Sequence, residues 1–124
     1  MASVALPLAA ADLWVKATET TPIWAFHQRS TAWLLLSLLL LGLMGLTALI
    51  PSRVVPVAAG VLTGGVLGNV LSAAWNGLRV PNPLIWSSND ALIAFNLADV
   101  WALAGIGMLM LALGAWLIRH RSLL

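Results

Sequence analysis

The chain has 124 residues, of which 61% are hydrophobic and only 8% are charged, against about 25% charged residues in an ordinary soluble domain. So few charged side chains cannot cover so apolar a chain, and the composition therefore excludes a water-soluble globular protein and predicts an integral protein of the lipid bilayer. The absence of cysteine excludes disulfides, cysteine-based zinc sites and thiol nucleophiles. The six Lys or Arg residues form no clustered basic face, so we expect no nucleic-acid partner.

The first segment, from Met1 to Val15, is apolar but short, and it contains Pro7 and Asp12. It also lacks the positively charged start that is typical of a signal peptide. We expect a short or tilted first helix here, with Asp12 near its end.

Three longer spans are visible between the charges. The stretch from Thr31 to Ile50 would form a helix of about 30 Å at ~1.5 Å per residue, which matches the bilayer core. A second span is predicted between Arg53 and Arg79, and a third from about Ala91 to Ile118. Together with the first segment they predict one all-α membrane domain over residues 1–124, a bundle of four transmembrane helices of which the first is short.

The positive charges do not decide the orientation of these spans. With four spans, three basic residues fall on each side, namely Arg53, Arg119 and Arg121 against Lys16, Arg29 and Arg79. Neither side therefore has the excess of Lys and Arg that marks cytoplasmic loops.

Asp99 is the one charged residue that clearly lies inside a predicted span. A charge there costs ~2.5 kcal/mol or more on insertion scales and is a functional-site hypothesis by default. Asn96 precedes it by three residues and so shares its helix face, while Asn69 lies in the preceding span. Two helices that each carry an Asn, with Asp99 between them, predict either a polar pocket or hydrogen bonding between helices without chemistry.

Small residues suggest which helices pack closely. The second long span repeats small or polar residues every four positions: Gly60, Gly64, Gly68, Ser72 and Asn76. The last span carries a row of its own: Ala94, Ala98 and Ala102. Such rows allow backbones to approach, so we expect these two helices to pack along them, with Asn69 and Asp99 beside the seam.

The order GGVLGN then FNLAD on consecutive spans resembles lipoprotein signal peptidase (signal peptidase II), a four-helix intramembrane aspartic peptidase of bacteria that removes signal peptides from lipidated prolipoproteins. The family has five sequence blocks. The residues that match the first three are Asp12 and Lys16, then Ala25 and Phe26, then Gly64, Gly65, Gly68 and Asn69. The fourth falls on residues 80–84, where Val80 matches, and the fifth is matched by Phe95, Asn96, Ala98, Asp99 and Gly105. The departures are Thr21, Ile23, Ser72, Ala73 and Asn82. The segment between Lys16 and Thr21 is also much shorter than the strand platform that the family has there.

The resemblance implies a dyad of aspartates that share one proton, one acting as base towards water and the other as acid towards the amide. Asp99 is the retained member, and Ser72 stands at the position of the missing one. Loss of one member of such a unit typically removes nearly all activity. We therefore expect a catalytically silent relative, either an accessory or structural subunit of a membrane complex or a protein that holds a lipidated peptide without cleaving it. The pocket residues implied are Asn69, Asn96, Asp12, Lys16 and Phe26.

Alternative functions remain open at this stage. An active peptidase with an altered dyad is the main one, and a Lys16–Ser72 nucleophile pair is a variant for which nothing in the sequence brings the two residues together. A small channel lined by Asn69, Asn96 and Asp99 is a third. We expect no cofactor and no metal, because two distant histidines without cysteine do not make a metal site.

The resemblance also implies a location. It places the chain in the bacterial cytoplasmic (inner) membrane, with both termini and the turn at Arg53 in the cytoplasm. The loops that contain His27 and residues 81–89 would then lie outside.

Overall fold

The computed structural model describes residues 1–121. Its helices are α1 (Ala2–Thr18), α2 (Thr31–Leu46), α3 (Val54–Trp75) and α4 (Leu97–Arg119). Its strands are β1 (Phe26–Gln28), β2 (Arg79–Pro81), β3 (Leu84–Ser88) and β4 (Ala91–Phe95). Two short 3-10 segments, Ile23–Ala25 and Thr47–Leu49, precede β1 and extend α2.

Three helical segments are long and apolar enough to cross a membrane: Thr31–Leu49, Val54–Trp75 and Leu97–Arg119. Of the residues in the most apolar stretch of each, 56% are buried in α3, against 6% in α2 and 17% in α4. The central helix is therefore α3, and the apolar side chains of α2 are left for lipid. The short first helix is present as α1, whose 17 residues include Pro7, but it is not among the three long segments.

The glycine row of α3 faces α1. A Cβ on Gly60 would lie 2.8 Å from the carbonyl oxygen of Met1, and one on Gly68 would lie 2.7 Å from Asp12 Oδ2. Gly64 between them meets α1 in the same way. Since the contacts move along both helices in the same direction, α1 and α3 run parallel with their backbones in close approach.

The expected packing of α3 against α4 is confirmed, but the residues at the seam differ from the prediction. A Cβ on Gly65 would lie 2.5 Å from the carbonyl oxygen of Ala98 and 2.6 Å from the amide nitrogen of Ala102. Gly105 of α4 approaches the backbone of Leu62 equally closely. The α3–α4 seam thus uses residues one or two positions away from the glycine row, because that row is already occupied by α1.

The prediction of an all-α protein is wrong in one respect, because the chain also forms two small antiparallel sheets. One pairs β1 with β2, bringing Phe26 opposite Pro81, and the other is a hairpin of β3 and β4. Ala91–Phe95 was expected to open the last span, but it forms β4, and Ala94 is therefore not part of the last helix. Hydropathy alone cannot distinguish a short apolar strand from the start of a helix.

Candidate functional site

A buried ion pair on α1 is the first component of the site. Asp12 and Lys16 are four residues apart and so share a helix face. Lys16 Nζ lies 2.6 Å from Asp12 Oδ2, and only 4% and 0% of the two side chains are exposed. Asp12 and Lys16 thus lie near the end of the short first helix, as expected for Asp12. Asp99, which was predicted to lie clearly inside the last span, is instead in the first turn of α4.

The ion pair of α1 is hydrogen-bonded to α3 and, through it, to α4. Lys16 Nζ donates to Asn69 Oδ1 at 2.8 Å, and Asn69 Nδ2 donates to Asp99 Oδ1 at 3.0 Å. The amide of Asn69 satisfies a cation with its oxygen and a carboxylate with its nitrogen. One buried side chain thus connects the charged groups of the two neighbouring helices. Charge-assisted hydrogen bonds of this kind are strongest away from water.

The free backbone N–H groups at the start of α4 are hydrogen-bonded by side chains from α4 itself and from α1. Asn96 precedes the helix, its Oδ1 accepts the backbone N–H of Asp99 at 2.9 Å, and Asp99 Oδ2 accepts the backbone N–H of Asn96 at 3.3 Å. This reciprocal capping box replaces the expected side-by-side pair on one helix face. Asp12 Oδ1 accepts the next free N–H, that of Ala98, at 2.8 Å. Both carboxylates therefore lie at the positive end of the α4 dipole.

The absence of a side chain at Gly68 is needed for this arrangement. A Cβ there would lie 2.7 Å from Asp12 Oδ2 and 3.3 Å from the Cβ of Ala98. Because Gly68 has no side chain, the Asp12 carboxylate fits between α3 and α4.

The hydrogen bonds continue from Asn96 towards the strands. Asn96 Nδ2 donates to Asn82 Oδ1 at 2.6 Å, and Asn82 Nδ2 lies 3.0 Å from His27 Nδ1. Asn82 and Asn96 are fully buried. Sequence reasoning did not assign Asn82 or His27 a place in the site, since only the pairing of β1 with β2 brings residues so far apart in the chain together.

A cavity of about 400 Å³ adjoins this network. Three of the predicted site residues line it: Lys16, Phe26 and Ser72. The rest of its wall is mainly apolar and consists of Leu13, Ala17, Thr21, Trp75, Asn76 and Pro81. Lys16 belongs to both the cavity and the network. Asp12, Asn69, Asn96 and Asp99 do not line the cavity and form the polar network beside it.

The arrangement offers little for cleavage of an amide. Both carboxylate oxygens of Asp99 accept protein hydrogen bonds, and a serine hydroxyl at position 72 cannot take a proton from water as a second carboxylate would. Lys16 and Ser72 do line one cavity, which the sequence did not predict. The Lys16 ammonium, however, donates to both Asp12 and Asn69, and a protonated amine cannot act as a base.

Within residues 1–121, no group of three or more His, Asp or Glu side chains is placed to hold a metal ion. The site is therefore built from amides, one ammonium and two carboxylates that hold one another in place. Its geometry fits a structural network next to a cavity that is available to a ligand.

Comparison with known proteins finds a similarity of fold and none of sequence. No protein-family model matches the chain, and no curated protein matches its sequence. Among solved structures, the chain is similar to one described as a bacterial membrane enzyme, determined by the in meso method at 2.3 Å resolution. The TM-score is 0.69 at 18% sequence identity, over 90% of this chain and 85% of that chain. At this identity the likeness shows the fold alone, and the chain thus shares its helical membrane fold with a bacterial membrane enzyme.

Proposed function

We propose that the protein is a catalytically silent, signal peptidase II-like membrane protein that binds a lipidated peptide and does not cleave it. The observation that carries the proposal is the cavity wall. It includes Ser72 and no carboxylate, and Asp99, the one retained acid, lies in the network beside the cavity.

Two observations support the relationship to that family. The fold is shared with a bacterial membrane enzyme over 90% of the chain. GGVLGN lies on α3, and FNLAD runs from the end of β4 into the first turn of α4, the helix that packs most extensively against α3. Ser72 lies one turn after Asn69 on α3, so a carboxylate at position 72 would stand close to Asp99. We therefore expect that position 72 could hold the second carboxylate of a dyad.

The cavity suits a ligand with an apolar and a polar part. Leu13, Phe26 and Trp75 supply apolar surface, whereas Lys16 and Ser72 supply groups that can hydrogen-bond peptide carbonyls. The Trp75 side chain is 73% exposed at the end of α3, the position of an aromatic residue at the membrane boundary. A peptide that carries acyl chains would place them in lipid there and its backbone against Lys16.

The buried ion pair supports one orientation of the spans. We treat α1 as the fourth span, because it lies against α3 over most of its length. Lys16 is buried within α1 and is therefore not a loop charge, which leaves Arg53, Arg119 and Arg121 on one side against Arg29 and Arg79 on the other. The positive-inside rule then favours both termini and the Arg53 turn in the cytoplasm of a bacterial inner membrane.

The proposal is tested with the purified chain in lipid nanodiscs and a synthetic lipidated prolipoprotein peptide. Binding is measured by fluorescence anisotropy and cleavage by mass spectrometry. We expect the unmodified chain to bind without cleaving and Ser72→Asp to gain cleavage, because the second carboxylate is restored. Asn76→Asp is the matched control, since it adds a carboxylate to the same cavity one turn further along α3, and it should not cleave.

Each contrary result has a definite meaning. Failure of the unmodified chain to bind the peptide would contradict the binding function. Cleavage by the unmodified chain would contradict the silent site. If that cleavage were lost in Asp99→Asn it would support an altered aspartic dyad, and if it were lost in Ser72→Ala it would support a serine–lysine pair.

A further inference from the structure

A second cavity lies at the opposite end of the helices from the site just described. It measures about 380 Å³ and is formed between the start of α3 and the end of α4. Three basic side chains line it: Arg53, Arg119 and His120. Asp99 lies twenty residues before Arg119, or about 30 Å along α4 at ~1.5 Å per residue, so this cavity is separate from the polar network.

The charged side chains that line this cavity are all basic. None of the residues that line it is acidic, and the four acidic residues of the chain, Asp12, Glu19, Asp90 and Asp99, all belong to other parts of the fold. Two guanidinium groups and an imidazole line the cavity from two helices, and within residues 1–121 no carboxylate side chain lines it with them. Such a site attracts an anion, and the paired N–H groups of arginine match the oxygens of a phosphate.

Of the three basic side chains, His120 is held in place by its neighbours, whereas Arg53 and Arg119 are exposed. The ring of His120 stacks on Trp116 with centroids 4.7 Å apart, and His120 Nδ1 donates to the carbonyl oxygen of Trp116 at 2.8 Å, since a carbonyl can only accept. On the α3 side of the cavity, the backbone N–H of Val54, the first residue of α3, donates to Ser52 Oγ at 3.2 Å. The positive end of that helix therefore adjoins the cavity, as does the negative end of α4, so the two dipoles offset each other and the arginine side chains supply the net positive charge.

We infer that this cavity binds the phosphate group of an anionic lipid headgroup. The cavity lies at the end of two helices that are long enough to cross a membrane, which is the level at which lipid phosphates lie. Trp116 in its wall is the kind of residue that is enriched there. A basic pocket between membrane helices is also a recognised form of headgroup site. The inference does not depend on the function proposed for the first cavity.

The test uses the full chain in detergent micelles and measures the retention of phosphatidylglycerol over phosphatidylcholine by native mass spectrometry. We expect Arg119→Gln to weaken retention by about tenfold or more, the loss typical of a hydrogen bond to a charged group. Arg121→Gln is the control of equal charge, because Arg121 does not line the cavity. It should lose no more than about fivefold, the effect of diffuse attraction to an anionic surface.

A second variant separates the cavity from its charge. Ala115 lines the cavity, and Ala115→Trp fills it while keeping every arginine. Loss of phosphatidylglycerol retention in this variant supports the inference. Unchanged retention in Ala115→Trp, or equal losses in Arg119→Gln and Arg121→Gln, would overturn it.

The source of the phosphate is distinguished by competition. Inorganic phosphate at millimolar concentration is added to the lipid-loaded chain, and we expect phosphatidylglycerol to remain bound because its acyl chains add contacts with the helices. Complete displacement at equal concentrations of the two would overturn the assignment to a lipid and indicate a site for free phosphate.

Discussion

Lys16 Nζ lies 2.8 Å from Asn69 Oδ1, and this hydrogen bond connects the charged pair of α1 to the central helix α3. The other end of the same amide holds Asp99. Asn69 thus stands between an ammonium and a carboxylate, with its oxygen towards the first and its nitrogen towards the second. A side chain in this position stabilises three helices at once, and its removal should affect all three.

Asn69→Leu is expected to destabilise the fold by about 2–4 kcal/mol. The change leaves a buried ammonium and a buried carboxylate each without one partner, and an unmade hydrogen bond to a charged group is costly away from water. The measurement is reversible unfolding in detergent micelles. Asn76→Leu is the control on the same helix, because Asn76 is exposed and donates only to the carbonyl oxygen of Ser72. Its loss should stay below about 1 kcal/mol, and equal losses would contradict the role given to Asn69.

Lys16→Met is expected to cost about 3–5 kcal/mol, because it leaves the fully buried Asp12 carboxylate without its cation. The double variant Asp12→Asn, Lys16→Met removes both charges and should be more stable than Lys16→Met alone. A double-mutant cycle measured by the same unfolding method gives the coupling between the two residues. Losses that simply add would show that the pair does not act as a unit.

The start of α4 shows why part of the fold was mispredicted. Ala91–Phe95 is apolar and continuous with the last span, so hydropathy extends the helix too far. The information that corrects it was present in the sequence, because Asn96 followed three residues later by Asp99, just before an apolar run, is the pattern of a capping box. In the structure the two residues cap the helix start, and the preceding strand turns back into a hairpin.

Part of the site could be predicted from the sequence. The four-residue spacing predicts that Asp12 and Lys16 share a face, and the position of Asn69 beside a glycine row predicts that it lies near a helix seam. That Lys16 contacts Asn69 could not be predicted, because a row of small residues indicates close approach without saying which helix approaches. In the structure Gly60 and Gly64 of the row face α1, and Gly68 lies between α1 and α4.

Gly65→Ala is expected to destabilise the protein by about 1–3 kcal/mol, the usual cost of overpacking a close contact. The added Cβ would lie 2.5 Å from the carbonyl oxygen of Ala98, and backbone at that distance cannot move without separating α3 from α4. Gly107→Ala is the matched control, since nothing lies within 4 Å of the corresponding Cβ position. That change should leave stability equal or raise it by up to about 1 kcal/mol, because alanine is the better helix former. The midpoint of thermal unfolding in micelles checks both, and a Gly65→Ala protein as stable as Gly107→Ala would contradict the seam.

Asn96→Ala is expected to cost about 2–4 kcal/mol, more than the loss of an ordinary helix cap. Its side chain accepts the N–H of Asp99 and donates to Asn82 from a fully buried position, so the variant removes a cap and leaves a buried amide oxygen without its donor. Ser30→Ala provides the comparison, because Ser30 caps α2 through one exposed bond to the N–H of Trp33 at 3.1 Å. It should cost about 0.5–1 kcal/mol. Hydrogen exchange of the amides in the first turn of α4 is a second readout: Asn96→Ala should speed their exchange and Ser30→Ala should not, whereas equal protection in both variants would show that the capping box does not hold the start of α4.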